Sequence, residues 1–468
     1  MPRLLTVLLA FAFLTVACSS SDDESSTDGE SGGSTVSADE TPVESDGSES
    51  DSSDNGDTDD GDTTASGDDD AGESAADDEP LELFASDLGV TEDSIVVGVV
   101  FPDTSVIGRD PGDIEAKFQT VADAINAEGG VNGRMLDLRI RLVDPIDDSD
   151  SETACVELTE DIGVFAVIGT FVRTTADCYA GLNDTVVVST FGITDEQKAG
   201  YTAPALSLPG SASRLIGARV EALFDAGVLS EGMAIAVVGG QQGAAQQEQY
   251  VEALEAAGVD VVADTVILGD ANDSVALTDE LITYTEVWKS SGAEAVLGSA
   301  GLVAQSFVIA YNNADIDLPI LLPQGLSVAP SFIQSQLGVD LDPFELATAL
   351  VEGDDTATKY ETGADGVREC VDAFEAASGE EVALDESRNN LGITIIACQV
   401  FDIFVPIAEA AGADLTTESF LAAAEAFGPI EVTNVSEASV GPGKLDLADV
   451  VGVLAEYDPE TLQFVPVG

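Results

Sequence analysis

The sequence predicts an α/β fold in which parallel sheets are covered by helices. Short apolar runs rich in β-branched residues, such as Ser94–Phe101 (SIVVGVVF), are typical of strands that are buried on both faces. Segments with apolar residues at helical spacing separate these strands, and the same alternation starts again after Pro209. Two successive runs of one pattern predict two similar lobes, each with a parallel sheet and right-handed crossovers.

The first run starts with the strand Ser94–Phe101 and continues with a helix over 114–128, where apolar residues recur at helical spacing. The pair Gly129–Gly130 predicts the end of that helix, because glycine adopts the left-handed conformation of a helix C-terminus at little cost. Gly133 then serves the turn into a second strand over 136–143. The remaining predicted elements are a helix over 152–161, a strand over 163–169, a helix over 174–182 and a strand over 185–189.

The second run repeats this order and is followed by a more helical tail. Its predicted elements are helices over 211–226, 243–257, 275–291 and 302–313, alternating with strands over 233–238, 259–267, 293–298 and 320–322. The tail is predicted to form helices over 363–378, 389–411 and 416–426. The final segments LADVVGVLAEYD and LQFVPVG predict a closing hairpin.

The first 18 residues, MPRLLTVLLAFAFLTVAC, place a short apolar run and small residues before Cys18. The run is too short to span a bilayer comfortably, so an export signal is predicted for residues 1–18. Thr15–Cys18 resembles the cleavage site of bacterial lipoproteins, in which the cysteine becomes the lipid-bearing N-terminus. The alternative is an ordinary cleaved signal with an incidental cysteine.

Residues 19–92 are assigned to a disordered acidic tether rich in Ser, Asp, Glu and Gly. Between Ser19 and Pro80 there is no Lys, Arg or aromatic residue. Such a stretch cannot bury enough apolar surface to offset the entropy lost on ordering, and its own charge extends it.

Charge and composition exclude several classes of function. With 15 basic and 89 acidic residues the net charge is −74, so we expect no nucleic-acid partner and no direct docking on anionic lipid. The sequence has no histidine, which removes Ser-His-Asp and Cys-His catalysis and the commonest metal ligand. We therefore predict no catalytic residues, no metal site and no cofactor.

Four cysteines remain besides Cys18, and in an exported chain they predict two disulfides. They are Cys155, Cys178, Cys370 and Cys398. Three pairings are possible, and proximity in the sequence favours Cys155–Cys178 and Cys370–Cys398.

The stretch DAINAEGGVNGRMLDLRIRLVD is similar to the first helix–turn–strand signature of type I periplasmic binding proteins of the amino-acid- and amide-binding subfamily. The segments VFAVIGT, VVVSTFGIT, AIAVVGG, AEAVLGS and LPILLPQG follow in that family's order, so the resemblance covers residues 93–468. It implies two Rossmann-like lobes with parallel sheets, joined by a multi-segment hinge. The ligand would lie in the cleft between the lobes, at the carboxyl ends of the strands.

The resemblance also implies how the chain is divided. Lobe 1 would comprise residues 93–207 and 330–435, and lobe 2 would comprise residues 208–329 and 436–468. Hinge segments would lie near Pro209, within Gln324–Ser331 and within Glu437–Gly441.

In the family, the loop after the third strand holds the ligand carboxylate, and this loop opens a helix whose free N–H groups attract anions. Its candidate ligand-binding residues are Thr170, Phe171, Thr174 and Thr175. Capping of the helix by either of the last two threonines is the alternative. Arg173 would clamp an anion with its planar guanidinium, or it would pair with a surface acid.

The loop after the fourth strand is the family's second contact in the first lobe. Its candidates here are Phe191, Gly192 and Thr194, although an ordinary strand-end loop would have the same sequence character. Thr104 and Ser105 follow the first strand and are added as candidates for the same reason.

In the second lobe, the ends of the strands present Gln241, Ser299 and Gln324 as candidates. The family's amino acid binders often carry an acid near the last position and an aromatic residue near the second. The neutral amide and small hydroxyl found here favour a carboxylate or amide ligand without a cationic head, unless another acid reaches the cleft.

Together these features predict an extracytoplasmic solute-binding lipoprotein of an ABC importer, which captures an amino acid, amide or carboxylate by hinge closure. The expected partners are a small-molecule ligand and an ABC permease. The protein would be a monomer at the cell surface, held to the bacterial membrane only by lipid on Cys18. The alternatives are a sensor with the same fold and a surface enzyme.

Overall fold

Two sheets, each covered by helices, organise the chain. The computed structural model describes residues 82–107, 112–145, 147–171, 176–240, 243–269, 274–299, 304–314, 316–323, 341–351, 353, 356–382 and 389–467. Within these residues the predicted α/β architecture of two lobes with parallel sheets is confirmed. The export signal, Cys18 and most of the tether lie outside them.

The first lobe is built on a sheet with five parallel strands in the described part of the chain. These strands are β1 (Ser94–Pro102), β2 (Met135–Val143), β3 (Ala166–Gly169), β4 (Val186–Ser189) and β5 (Ala205–Ser207), in the spatial order β2-β1-β3-β4-β5. Every residue of β3, β4 and β5 is buried, as expected of parallel strands that are covered on both faces.

The second lobe is built on a sheet with seven strands among the described residues, in the spatial order β14-β13-β10-β9-β8-β6-β7. Its strands are β6 (Ala234–Gly240), β7 (Asp260–Ile267), β8 (Ala295–Gly298), β9 (Ile320–Leu322), β10 (Ala347–Val351), β13 (Val453–Asp458) and β14 (Gln463–Pro466). The last two pair antiparallel, which confirms the closing hairpin. Two short strands, β11 (Gly428–Pro429) and β12 (Ser439–Val440), form a separate pair.

The helices pack on both faces of these sheets. They are α1 (Ile114–Ala127), α2 (Asp148–Val156), α3 (Asp195–Ala199), α4 (Ala212–Asp225), α5 (Ala244–Ala256), α6 (Ser274–Ser291), α7 (Ala304–Ala314), α8 (Thr356–Thr362), α9 (Val367–Ser378), α10 (Asn389–Ala411) and α11 (Thr417–Phe427). Two π-helical segments, Glu157–Ile162 and Asp177–Leu182, lie between strands of the first lobe.

Helix α10 is long and apolar enough to cross a membrane, and it is the one such helix among the described residues. Most of it is buried inside the protein, where Phe404 packs against Phe165 and Phe420 with ring centroids 6.4 and 5.8 Å away. Its apolar composition therefore reflects a position in the core of the first lobe.

The division of the chain between the lobes needs a correction in two places. Strand β10 pairs with β9 and β13, so it belongs to the second sheet, although the predicted boundaries place residues 330–435 in lobe 1. Conversely, Ser207 donates its N–H to the carbonyl of Leu445 and accepts from the N–H of Leu447, both at 2.9 Å. This segment therefore extends the first sheet, although residues 436–468 are predicted in lobe 2. An apolar strand does not reveal which sheet it joins.

The predicted tether is too long at its C-terminal end, because residues 82–92 pack on the first lobe. Arg134, which is 1% exposed, donates hydrogen bonds to three carbonyls: Thr91 (2.8 Å), Phe84 (3.0 Å) and Ala413 (2.7 Å). The turn before it needs glycine, since a Cβ on Gly130 would lie 2.1 Å from the carbonyl oxygen of Arg134. The helix-stop motif thus positions an arginine that holds residues 84–91 against the first lobe.

Both predicted disulfides are present, which confirms the pairing favoured by sequence proximity. Cys155–Cys178 joins α2 to the π-helical segment Asp177–Leu182, and Cys370–Cys398 joins α9 to α10. Each bond therefore ties together two neighbouring helices of the first lobe.

Candidate functional site

The carboxyl ends of four strands of the first sheet lie side by side. Val100 pairs with Gly169, which pairs with Ser189, which in turn pairs with Ser207. The loops that follow β1, β3, β4 and β5 therefore leave the sheet at one edge, where open α/β sheets bind ligands. We call these strand ends and their loops the strand edge.

Two threonine hydroxyls meet at the centre of the strand edge. The Oγ1 atoms of Thr170 and Thr190 are 2.8 Å apart, although the two residues come from different loops. Both are held by backbone hydrogen bonds of 2.9 Å, from Thr170 to Val100 and from Thr190 to Gly169. Gly169 is required at this point, because its φ is +135° and a Cβ would lie 2.1 Å from the Val100 oxygen.

The loop after β4 presents an aromatic ring at the strand edge. Ser189 fixes this loop, since its hydroxyl donates to the carbonyl of Phe191 at 2.9 Å and accepts from its N–H at 3.0 Å. The ring of Phe191 is 56% exposed, and Gly192 beside it is exposed as well. Ser189 was missed in the sequence because it reads as the buried last residue of a strand.

Thr194 has a structural role at the start of α3. Its hydroxyl accepts from the N–H of Gln197 at 3.2 Å, and the side chain of Gln197 accepts from the N–H of Thr194 at 3.1 Å, which forms a capping box. Its part in ligand binding stays a prediction.

The loop after β1 adds a carboxylate, that of Asp103, which the sequence did not predict as a site residue. Asp103 accepts from the N–H of Ser105 at 2.9 Å and from its hydroxyl at 2.5 Å. The N–H of Asp103 donates to Val143, so its carboxylate is placed at the end of β1 beside Thr104. Its position directly after a buried strand was the signal that could have found it.

Phe171, like Thr170, is buried, and five candidates lie outside the described residues. Phe171 is 4% exposed and packs edge-on against Tyr179, with ring centroids 5.7 Å apart. Its ring therefore belongs to the core beside the first disulfide. Outside the described residues lie Arg173, Thr174, Thr175, Gln241 and Gln324.

Ser299 follows β8 in the second lobe and is nearly buried. Its hydroxyl donates to the side-chain oxygen of Gln247 at 3.4 Å, and the amide of Gln247 donates to the carboxylate of Asp264 and to the carbonyl of Thr265. The Trp288 indole donates to the Thr265 hydroxyl at 3.2 Å, so Ser299 ends a network that runs through the lobe's interior.

A cluster of opposite charges joins the two lobes where the chain first crosses between them. Arg214, at the start of α4, pairs with Asp446 at 2.5 Å and with Asp449 at 2.7 Å. Lys198 donates to the Ser207 hydroxyl at 2.9 Å. Burial lowers the pKa of Lys198, while the carboxylates of Asp446 and Asp195 raise it. These contacts tie the segment after β5 to the segment before β13.

The described residues of the strand edge include hydroxyls, backbone groups, the ring of Phe191 and the carboxylate of Asp103, which suits recognition of a small polar molecule by hydrogen bonds. No group of three or more Cys, Asp or Glu side chains that could hold a metal ion is found in the part of the chain that the structure describes.

Several solved structures with a similar fold are substrate- or solute-binding proteins of ABC transporters. The chain is similar to an ABC transporter substrate-binding protein from Desulfitobacterium hafniense in complex with leucine (15% identity, 80% of this chain and 100% of that chain, TM-score 0.54). It is also similar to a fatty acid ABC transporter substrate-binding protein from Thermomonospora curvata (16% identity, 83% of this chain and 94% of that chain, TM-score 0.54). A third similar structure is a solute-binding protein of an ABC transporter from Rhodopseudomonas palustris in complex with p-hydroxybenzoic acid (16% identity, 80% of this chain and 95% of that chain, TM-score 0.56).

No curated protein matches the sequence. The family model described as periplasmic binding protein matches residues 94–447, which include both sheets up to β10 and the helices of the tail. With this match over most of its length, the chain belongs to the periplasmic binding protein family.

Proposed function

We propose that this protein is the substrate-binding component of an ABC importer, which captures a small polar ligand between its lobes and delivers it to a permease. Family membership supports a binding role, and the similar structures named above belong to ABC transporters. The observation that carries the proposal is the strand edge, where side chains from separate loops converge on one surface.

The ligand class that fits best is a carboxylate. The hydroxyls of Thr170 and Thr190 bond each other at the strand edge, where a ligand carboxylate would replace that bond, and the following loop, which includes Arg173, is predicted to add N–H donors and a cation. Leucine and p-hydroxybenzoic acid, the ligands of two similar proteins, share a carboxylate. Asp103 is the described residue that would hold an ammonium group if the ligand were an amino acid.

Closure would follow from contacts that only the closed state makes with both lobes at once. The ion pairs of Arg214 with Asp446 and Asp449 lie at the crossing segments, so they would limit the direction in which the lobes move. Lipid on Cys18 would hold the protein outside the cell membrane, with the acidic tether as spacer.

A thermal-shift screen over amino acids, amides, ureas and carboxylates tests this function. A ligand at 100 times its Kd stabilises the folded state by about 2.7 kcal/mol, which is several degrees in Tm. We expect at least one carboxylate to do so. If amides or ureas alone raise the Tm, the ligand class is wrong, and if the importer's transport is unaffected by deletion of this protein, the function is wrong.

A further inference from the structure

A cavity of about 890 Å³ opens on the helical face of the first lobe. Its walls come from α1, α9, α10 and the turn after β11, elements that are far apart in the sequence. The volume lies within the range of sites that enclose a drug-sized molecule. We call it the helical-face cavity.

This cavity is separate from the strand edge. Helix α1 begins after the carboxyl end of β1 and runs back to the turn before β2, and the cavity touches only its second half, through Val121 and Ile125. The cavity therefore lies toward the opposite end of the lobe. No described residue of the strand edge lines it.

The cavity combines an apolar lining with carboxylates. Phe401, Val405, Ile430 and Val432 are among its apolar walls. Its four acids are Asp365, Glu369, Asp402 and Glu431. A neutral apolar ligand would need none of these carboxylates.

In the part of the chain that the structure describes, one of these acids pairs with a cation. Lys359 pairs with Asp365 at 2.8 Å, whereas no ion pair reaches Glu369, Asp402 or Glu431 among the described residues. Glu369 and Glu431 are exposed to solvent, whereas Asp402 is half-buried beside the apolar walls, where a charged carboxylate without a cation is disfavoured.

Asp402 shows this cost most directly. It accepts a hydrogen bond from the N–H of Thr433 at 2.9 Å and a second one from the Thr433 side chain. Burial raises the pKa of its carboxyl group. A ligand cation would stabilise the charged carboxylate and exclude water from the apolar walls in the same step.

We propose that the helical-face cavity binds a small organic ammonium ion with an apolar body. The apolar walls would hold the body, and Asp402 with Glu369 would hold the ammonium group. This site is independent of the ligand in the cleft between the lobes.

Three compounds with one apolar body test the proposal: 4-phenylbutylammonium, 4-phenylbutan-1-ol and 4-phenylbutyrate. Affinities are measured by calorimetry in about 0.15 M salt, where charges farther apart than about 8 Å are largely screened. We expect the ammonium compound to bind at least about tenfold more tightly than the alcohol, and the carboxylate to bind most weakly. Equal affinities for all three would overturn the proposal.

Paired variants locate the site. Glu369→Gln with Asp402→Asn should remove the preference for the ammonium over the alcohol, and the amide oxygen can still accept from Thr433. Asp372→Asn is the matched control, because this carboxylate is exposed on the same helix and does not line the cavity. If the control lowers ammonium affinity as much as the double variant, attraction to the acidic surface explains the binding and the proposal is wrong.

The variant Ala373→Leu tests the position of the site without changing any charge. Ala373 is exposed and lines the cavity, so the larger side chain should fill part of it without disturbing the core. We expect weaker binding of both the ammonium and the alcohol. Unchanged affinity for both would place the compounds elsewhere and overturn the proposal, even if the charge variants had failed to fold.

Discussion

The strand edge and the helical-face cavity, two regions of one lobe, differ in chemistry and in how the chain builds them. The strand edge is made of loops that each follow a strand, and its central groups are neutral hydroxyls. The cavity is made of helix faces and a turn, and it carries three carboxylates without a cation among the described residues. The strand edge thus follows directly from the parallel-sheet topology, whereas the helical-face cavity depends on how the helices pack.

The largest expected effect concerns the buried hydrogen bonds of Arg134, in the lobe to which both regions belong. Arg134→Met should lower the free energy of unfolding by about 3 kcal/mol or more, because three carbonyl groups lose a buried charged donor. Urea denaturation measures this change. Arg139→Met is the control, since Arg139 is partly exposed and pairs with Asp137 at the surface. Equal losses of unfolding free energy in the two variants would mean that the three buried hydrogen bonds of Arg134 stabilise the fold no more than a surface ion pair does.

The two disulfides sharpen the comparison because they close loops of similar length, with sequence separations of 23 and 28. Removing either pair by alanine substitution should cost about 3 kcal/mol in the chain-entropy model. Cys370 and Cys398 line the cavity, so their removal alone should also weaken 4-phenylbutylammonium binding. A similar loss of 4-phenylbutylammonium binding in the double variant Cys155→Ala, Cys178→Ala would show that binding depends on the stability of the whole lobe, and not on the disulfide that lines the cavity.

Thr170→Val tests the strand edge without changing charge. A hydrogen bond to a carboxylate contributes about 1.5–3 kcal/mol, so the ligand found by screening should bind roughly 10- to 150-fold more weakly. Thr153→Val is the matched control, because its exposed hydroxyl bonds only within α2. Calorimetry of both variants decides, and an unchanged affinity for Thr170→Val would remove this residue from the ligand site. Ammonium binding in the cavity should be unaffected.

The smallest expected effect is a pH dependence at Asp402. Its pKa is raised in the folded state from the ordinary value of 3.8, mainly by burial, so the folded protein holds this proton more tightly than the unfolded chain. Its contribution to stability is therefore present at acid pH and is lost as pH rises from about 4 through the folded-state pKa. The difference in unfolding free energy between Asp402→Asn and wild type should shift in favour of the variant over that window. A difference that is constant with pH would contradict the raised pKa.

How far the sequence predicted the site varies from residue to residue. Thr170 and Phe191 lie at the carboxyl edge of the first sheet, as predicted, because strand ends are visible as the points where apolar runs stop. Phe171 was grouped with them, yet its ring turns into the core against Tyr179. Ser189 and Asp103 were missed, since the direction of a side chain at a strand end depends on the loop that follows it.

The sequence by itself determined the alternation of helices and strands, the helix stop at Gly129–Gly130, the closing hairpin and the favoured cysteine pairing. These features depend on local periodicity, on glycine's backbone freedom and on proximity along the chain. Only the tertiary structure decided that β10 joins the second sheet, that residues 82–92 pack under Arg134, and that carboxylates from α9, α10 and a turn line one cavity. Those contacts join residues far apart in sequence, and a local pattern records that a side chain is buried but not which partner buries it.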